Sequence, residues 1–267
     1  MIGNKLKNNK AVGLDNISNE CIKVFINLRE GIEMIKSLFN STFGHYPQDW
    51  KNGLIKPIFK NGCKTEPKNY RGITLTCCIG KFFNQILCPR LTGVFEKYHI
   101  FPDNLMGFRP SMRTSNNIFI LKSLIEKTLN KKEKLYCCFV DISKAFDRTW
   151  QKGLMHKLKH YDRVNGEMLS ANENLYKNTN ARILLGGSFS NEFEINMGVK
   201  QGDPLSSLLF NVDMCDLCTQ LNQNKDKDPP HITDKKVSSL FWAEDIVLTS
   251  KSKNRTMEKY RNSAKVL

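Results

Sequence analysis

Three acidic residues in two separated stretches have the types and settings that phosphoryl transfer requires. Asp141 ends the run Leu135-Tyr136-Cys137-Cys138-Phe139-Val140, which predicts a buried strand because it is apolar and partly aromatic or β-branched. A carboxylate at the end of a buried strand is costly unless a cation meets it. Magnesium, which favours one or two protein carboxylates plus substrate phosphates, is such a cation. Glu244 and Asp245 stand between Ser239-Leu240-Phe241-Trp242 and Ile246-Val247-Leu248, a pattern that predicts a β-hairpin with carboxylates at its tip. One acid at a strand end and two at a hairpin tip form the donor set of a two-metal site. Asp141, Glu244 and Asp245 are therefore the candidate catalytic and metal-binding residues, with Mg²⁺ the expected ion and Mn²⁺ its substitute. Phe146, five residues beyond Asp141, sets a rigid ring beside whatever is held there.

Further blocks accompany the acids. In order they are Asn69-Tyr70-Arg71-Gly72-Ile73-Thr74-Leu75, Met106-Gly107-Phe108-Arg109, the segment 139–147, Gly198-Val199-Lys200-Gln201-Gly202-Asp203-Pro204-Leu205-Ser206, and Trp242-Ala243-Glu244-Asp245. Together, over about residues 10–250, they resemble the reverse transcriptase domain of non-LTR (LINE-type) retrotransposons. The resemblance implies an RNA-directed DNA polymerase acting on dNTPs, an RNA template and a DNA primer. It implies an α+β right-hand fold, with fingers over residues 1–90 and a palm over 91–267 whose antiparallel sheet is backed by helices. The family's helical thumb is expected to be absent, since the chain ends at Leu267.

By the same resemblance Arg71, with Lys60 second, contacts the incoming triphosphate. A planar guanidinium can hold phosphate bidentately where Lys acts as a point charge. Phe146 resembles the steric gate that excludes a 2′-hydroxyl, and Gln201 and Gly202 would lie against the nucleotide and the templating base. Lys200 and Arg109 are expected on nucleic acid, packing against the next helix being the alternative for Arg109. Asp147 is expected to cap the turn that follows it. One departure stands out, because the family carries two aspartates at the tip and this chain has Glu244-Asp245. The alternative reading is therefore a catalytically degenerate relic that retains nucleic-acid binding. A viral RNA-copying polymerase is disfavoured by Phe146.

Composition agrees with a polyanionic partner. Lys and Arg number 41 against 26 Asp and Glu, a net charge of +15 with a pI near 9.4; each neutralised phosphate releases counterions. The nine cysteines sit mostly in apolar runs, as small buried hydrophobes of a reducing compartment. Cys215-Asp216-Leu217-Cys218 lies in a helical pattern without a second ligand pair, which argues against zinc. A polar N-terminus without an apolar stretch predicts no secretion signal, and no run approaches the length of a membrane span. The expected setting is inside the cell, in nucleus or cytoplasm, and nothing in the sequence specifies an oligomeric state.

The elements that must position these residues are readable in outline. Ser18 or Asn19 caps a predicted helix whose apolar face continues to Phe39, with Pro47 and Gly53 at its exit. Residues 54–60 and 70–76 predict a hairpin around Asn61-Gly62. Predicted helices start near Gly80, with Pro89 expected to kink it, and after Pro110, with Ile118, Leu121, Leu124, Ile125 and Leu129 on one face. Trp150 opens another. Residues 162–180 carry no clear pattern, 181–185 and 189–195 predict two strands, and Asp203-Pro204 predicts a helix start. A charged loop over 222–230, the acidic hairpin and a basic tail complete the chain.

Overall fold

The computed structural model describes residues 6–161, 164–223 and 229–266. The chain forms two compact units, Met1–Val94 with Phe146–Ser206, and Phe95–Ala145 with Ser207–Leu267. Residues 146–206 thus group with the first part of the chain.

In the first unit the expected opening helix is two, α1 (Asn19–Ile26) and α2 (Arg29–Thr42), divided at Asn27 and Leu28. Ser18 caps α1, its hydroxyl accepting from the Cys21 amide at 3.4 Å. After α3 (Gln48–Lys51), β1 (Gly53–Phe59) and β2 (Tyr70–Leu75) pair antiparallel from Leu54↔Leu75 to Phe59↔Tyr70. Gly62 takes φ +87° in the link, as the Asn-Gly pair predicts. Helix α4 (Cys78–Lys97) runs through Pro89. That proline is exposed. The core is aromatic: Phe39 meets Phe82 and Phe83 edge-on at 5.5 and 5.3 Å.

The second unit begins after that. Helix α5 (Thr114–Asn130) precedes β3 (Tyr136–Asp141). Neither buries the whole of its apolar pattern, and for β3 this differs from expectation. On α5 only Leu124 of the five apolar positions is buried, whereas Ile118 and Leu129 are 65% and 67% exposed. Strand β3 is not buried but alternates, and Phe139 is 72% exposed, because this antiparallel sheet is covered on one face and open on the other.

The chain then returns to the first unit with α6 (Ala145–Arg148), α7 (Gln151–His160) and α8 (Gly166–Tyr176). The last of these lies in the stretch without clear pattern. Its buried face is Ala171, Asn172, Leu175 and Tyr176, too mixed in polarity for periodicity to reveal. Strand β4 (Asn180–Leu185) joins β1 in parallel, Leu54 opposite Arg182, and carries the short β5 (Ser188–Phe189) and β6 (Phe193–Glu194).

Helix α9 (Ser206–Gln223) leads back to the second unit. Asp203 does cap it, its Oδ1 accepting from the Leu205 amide at 2.9 Å. The loop expected over 222–230 lies partly outside the described residues. A small ribbon, β7 (His231–Ile232) with β8 (Lys235–Lys236), precedes β9 (Ser239–Trp242) and β10 (Asp245–Ser250). The sheet order is β3-β10-β9, all antiparallel. The basic tail is α10 (Lys253–Val266), packed on β10 and β3, with the Lys259 ammonium donating to the Thr249 carbonyl at 2.8 Å. All nine cysteines are free thiols. No helix among the described residues is long and apolar enough to cross a membrane.

Candidate active site

The acids come together in the second unit by strand register. Asp245 is the cross-strand partner of Asp141, and both are exposed. The Ile142 amide donates to the Glu244 carbonyl at 3.3 Å. This closes the ladder one step further on and makes Asp141 and Asp245 a non-hydrogen-bonded pair. Such pairs have Cα atoms about 4.5 Å apart and side chains on the same face. Among the described residues neither carboxylate has a hydrogen-bond or ion-pair partner. Like charges directly opposite on a sheet are destabilising, so the pair invites a cation. Oxygen donors side by side on an open face fit a hard divalent ion.

Glu244 does not join them so simply. Trp242 pairs with Asp245, so Ala243 and Glu244 are the two-residue connection of the hairpin. Ala243 carries φ +54°, which positive-φ hairpin turns require and which costs a non-glycine residue about 1–2 kcal/mol. Glu244 is half-buried. No group of three or more His, Cys, Asp or Glu among the described residues is placed to hold a metal.

The tip is held from behind by Asn104 and by the Met106-Gly107 pair of the second motif block. Met106 donates its amide to the Phe241 carbonyl at 3.2 Å, and Phe241 donates to the Asn104 carbonyl at 2.9 Å. Gly107 then lies against the turn so closely that a Cβ there would stand 2.3 Å from the Ala243 nitrogen. Its carbonyl accepts from the buried Asn211 amide at 2.7 Å. Gly107→Ala is expected to destabilise the chain by about 2 kcal/mol in urea unfolding, since backbone on both sides leaves the methyl no room. In front of the acids is a cleft of about 410 Å³, lined by Asp141, Asp245, Trp242, Phe139, Leu240 and the α5 residues Asn117, Ile118 and Leu121, among others. The exposed face of α5 lines this cleft instead of a core.

In the first unit a different set assembles around residues 198–202. Arg71 on β2 is exposed, and its Nε donates to Gln201 Oε1 at 2.8 Å. The Gln201 carbonyl accepts from the Thr74 amide at 3.0 Å. Gly202, at φ +111°, backs onto the Thr74 carbonyl, which a Cβ would approach to 3.1 Å. At the loop's other end the Val199 amide donates to the Phe146 carbonyl at 2.7 Å, and the Phe146 side chain is half-buried. Lys60 follows β1, its amide bonded to the Asn69 carbonyl. Strand alternation puts Lys60 on the Arg71 face of the ribbon, and the register puts Lys56 there too, opposite Ile73. Period-two counting back from Lys60 would have found Lys56.

Two expected nucleic-acid contacts are corrected. Lys200 is buried, 5% exposed, and its ammonium donates to the Lys51 carbonyl at 2.8 Å. Arg109 is clamped by Glu96, at 2.8 Å from Nε and 2.6 Å from Nη2, and its Nη1 donates to the Pro102 and Leu105 carbonyls. Neither cation is left for a phosphate, and Arg109 is held by the preceding helix α4 and the loop after it, not by the following helix expected as its alternative.

Burial pushes the Lys200 ammonium down to about 8, against the opposing pull of Asp203. Burial also raises the carboxyl of Asp203, which accepts from the Asn84 amide at 2.7 Å. For a lysine depressed on folding, the unfolded chain binds more protons between the two pKa values, so stability rises with pH there. The burial penalty is full below pH 8 and is relieved toward 10.5. Between pH 8 and 9.5 the wild type is expected to gain about 2 kcal/mol relative to Lys200→Met in urea unfolding.

A family model described as reverse transcriptase (RNA-dependent DNA polymerase) matches residues 58–266. The chain belongs to the reverse transcriptase family. It is 31% identical over 206 residues to the probable RNA-directed DNA polymerase from transposon X-element of Drosophila melanogaster, covering 76% of this chain and 22% of that protein. Over 253 residues it is 25% identical to the RNA-directed DNA polymerase from mobile element jockey of the same fly, covering 94% and 26%. Over 205 residues it is 27% identical to a Pol polyprotein from retrotransposable element R2 of Popillia japonica, covering 77% and 28%. This reverse transcriptase is thus of the non-LTR branch that its motifs resemble, and it spans about a quarter of the length of these relatives. A solved structure of apo telomerase from Candida tropicalis, truncated from its C-terminal domain, matches with a TM-score of 0.56 at 15% identity, covering 87% of this chain and 51% of that one. That likeness is one of fold: a right-hand polymerase, mixed α+β with an antiparallel palm sheet.

Proposed function

We propose that the chain is the core of an RNA-directed DNA polymerase that transfers a nucleotide from a dNTP to a primer 3′-hydroxyl. The observation that carries this reading is the register partnership of Asp141 and Asp245, exposed on one face with no protein cation against them among the described residues. Magnesium held by these carboxylates, or manganese in its place, would supply the Lewis-acid charge for in-line displacement at the α-phosphate. The chain's own residues do the rest. Arg71, with Lys60 and Lys56 on the same ribbon face, holds the triphosphate by charge-assisted hydrogen bonds. The Phe146 ring fills the space a 2′-hydroxyl would need. Gln201 and the backbone at Gly202 lie along the nucleotide, where glycine permits close approach. The net charge of +15 suits an RNA template and a DNA primer.

The test is extension of a DNA primer on an RNA template with Mg²⁺ or Mn²⁺, comparing dNTPs with ribonucleotides. Incorporation of dNTPs alone supports the reading. Comparable use of ribonucleotides would point to an RNA-copying polymerase. One observation favours a second reading: Glu244 holds a tip position where the family carries aspartate. A degenerate copy would bind the primer–template duplex and extend nothing.

A further inference from the structure

Asp147 has no part in the chemistry described so far, yet its side chain completes a chain of hydrogen bonds that begins at the exposed Arg71. Arg71 Nε donates to Gln201 Oε1 at 2.8 Å, and Gln201 Nε2 donates to Asp147 Oδ1 at 3.2 Å. Arginine can only donate and an ionised carboxylate can only accept. The amide of Gln201 therefore has one orientation that serves both neighbours, and Asp147 selects it. We propose that Asp147 is a positioning residue for the triphosphate-holding arginine, acting through Gln201. The proposal rests on the reading of Arg71 given above.

Three features support it. First, Nε is the only guanidinium nitrogen of Arg71 with a partner among the described residues. The guanidinium is thus held by one edge while its terminal fork is open for two phosphate oxygens. Second, the amide keeps carboxylate and guanidinium apart. A direct Asp–Arg ion pair would spend the arginine's charge, whereas an intervening neutral amide orients it and leaves the charge for substrate. Third, the backbone on which the relay stands is fixed at both ends. The Gly198 amide donates to the Thr149 carbonyl at 2.8 Å, and the Gln151 side chain donates to the Gly198 carbonyl at 2.9 Å. Gly198, at φ +87°, lies so close to residue 147 that a Cβ would meet the Asp147 carbonyl oxygen at 2.8 Å. The Thr74 amide anchors Gln201 to the strand that carries Arg71. Asp147 also directly follows Phe146, so one short turn, α6, sets both the ring and the acid.

The test uses the whole chain with Asp147→Asn, which keeps an acceptor oxygen, and Asp147→Leu, which keeps the shape without one, each with and without Arg71→Ala. Two quantities are measured: the dissociation constant of inorganic triphosphate, and KM and kcat for dNTP in primer extension. Asp147→Leu is expected to weaken triphosphate binding about tenfold, the effect of losing one hydrogen bond to a charged partner. It should raise the dNTP KM by a similar factor with kcat within about twofold. Asp147→Asn should stay within about threefold of wild type in both. In the Arg71→Ala background the Leu variant should add nothing, as expected of residues acting in one network. The proposal is overturned if Leu binds triphosphate as tightly as wild type, if Asn loses as much as Leu, or if the loss persists undiminished without Arg71. Failure of the polymerase reading looks different: the wild type extends no primer, while the pattern of triphosphate binding stands and supports the positioning role.

Discussion

Asp141→Ala is expected to slow nucleotide incorporation by at least about 10³-fold, the scale of losing a principal electrostatic group at a reacting centre. Its stability in urea should at the same time be unchanged or raised by up to about 1 kcal/mol. The two signs follow from one arrangement. Asp141 ends an edge strand, faces Asp245 directly across the ladder, and has no partner among the described residues. Removing it relieves a like-charge contact on the folded sheet and leaves no buried group unsatisfied. An acid kept for folding, such as the buried Asp203 with its bonds to Asn84 and Leu205, would behave in the opposite way. Loss of stability without loss of incorporation in Asp141→Ala would sink the assignment.

The opposed acids were legible in the sequence because both of their signals are local. The register that sets Asp141 opposite Asp245 comes from a non-local strand pairing, whereas an apolar run ending in Asp141 and acids set between two apolar runs need no tertiary knowledge. The same holds for the β1–β2 ribbon, where Asn61-Gly62 announces the turn. What periodicity could not tell was which apolar face meets a core. The face of α5 has helical spacing yet borders the cleft, and β3 reads as buried although one side is open. Spacing reports an apolar surface and is silent about what lies opposite.

The cations were the hardest to place, for a related reason. A lysine in a glycine loop and an arginine beside a proline look available for phosphate. Lys200 instead finds its acceptor on Lys51, 149 residues away, and Arg109 is gripped by Glu96 and two carbonyls. No local pattern encodes those meetings. Gly107 and Asp147 stand in recognised blocks, yet their roles stayed hidden on the same grounds, since these are a distance of closest approach and a hydrogen bond across 54 residues. Lys56, by contrast, could have been placed by strand alternation alone.

Glu244→Asp is expected to raise kcat for dNTP incorporation by about 10–100-fold, the scale on which a misplacement of about 1 Å acts. The backbone at this position has little freedom to compensate for a longer side chain. The Glu244 carbonyl is bonded to the Ile142 amide, Ala243 is already in the left-handed region, and Gly107 closes the space behind the turn. The extra methylene must therefore displace the carboxylate itself, by about 1.5 Å, where functional groups need placement to about 0.5 Å. Rapid-quench measurement of a single incorporation, wild type beside Glu244→Asp, separates the two readings of this chain. A wild type that works and a faster variant mean a polymerase running with a displaced acid. A silent wild type rescued by the aspartate means a folded palm that has lost turnover through one side chain. If the aspartate variant is no faster than a working wild type, the longer acid reaches its place after all, and the departure from the family at the tip is of no catalytic consequence.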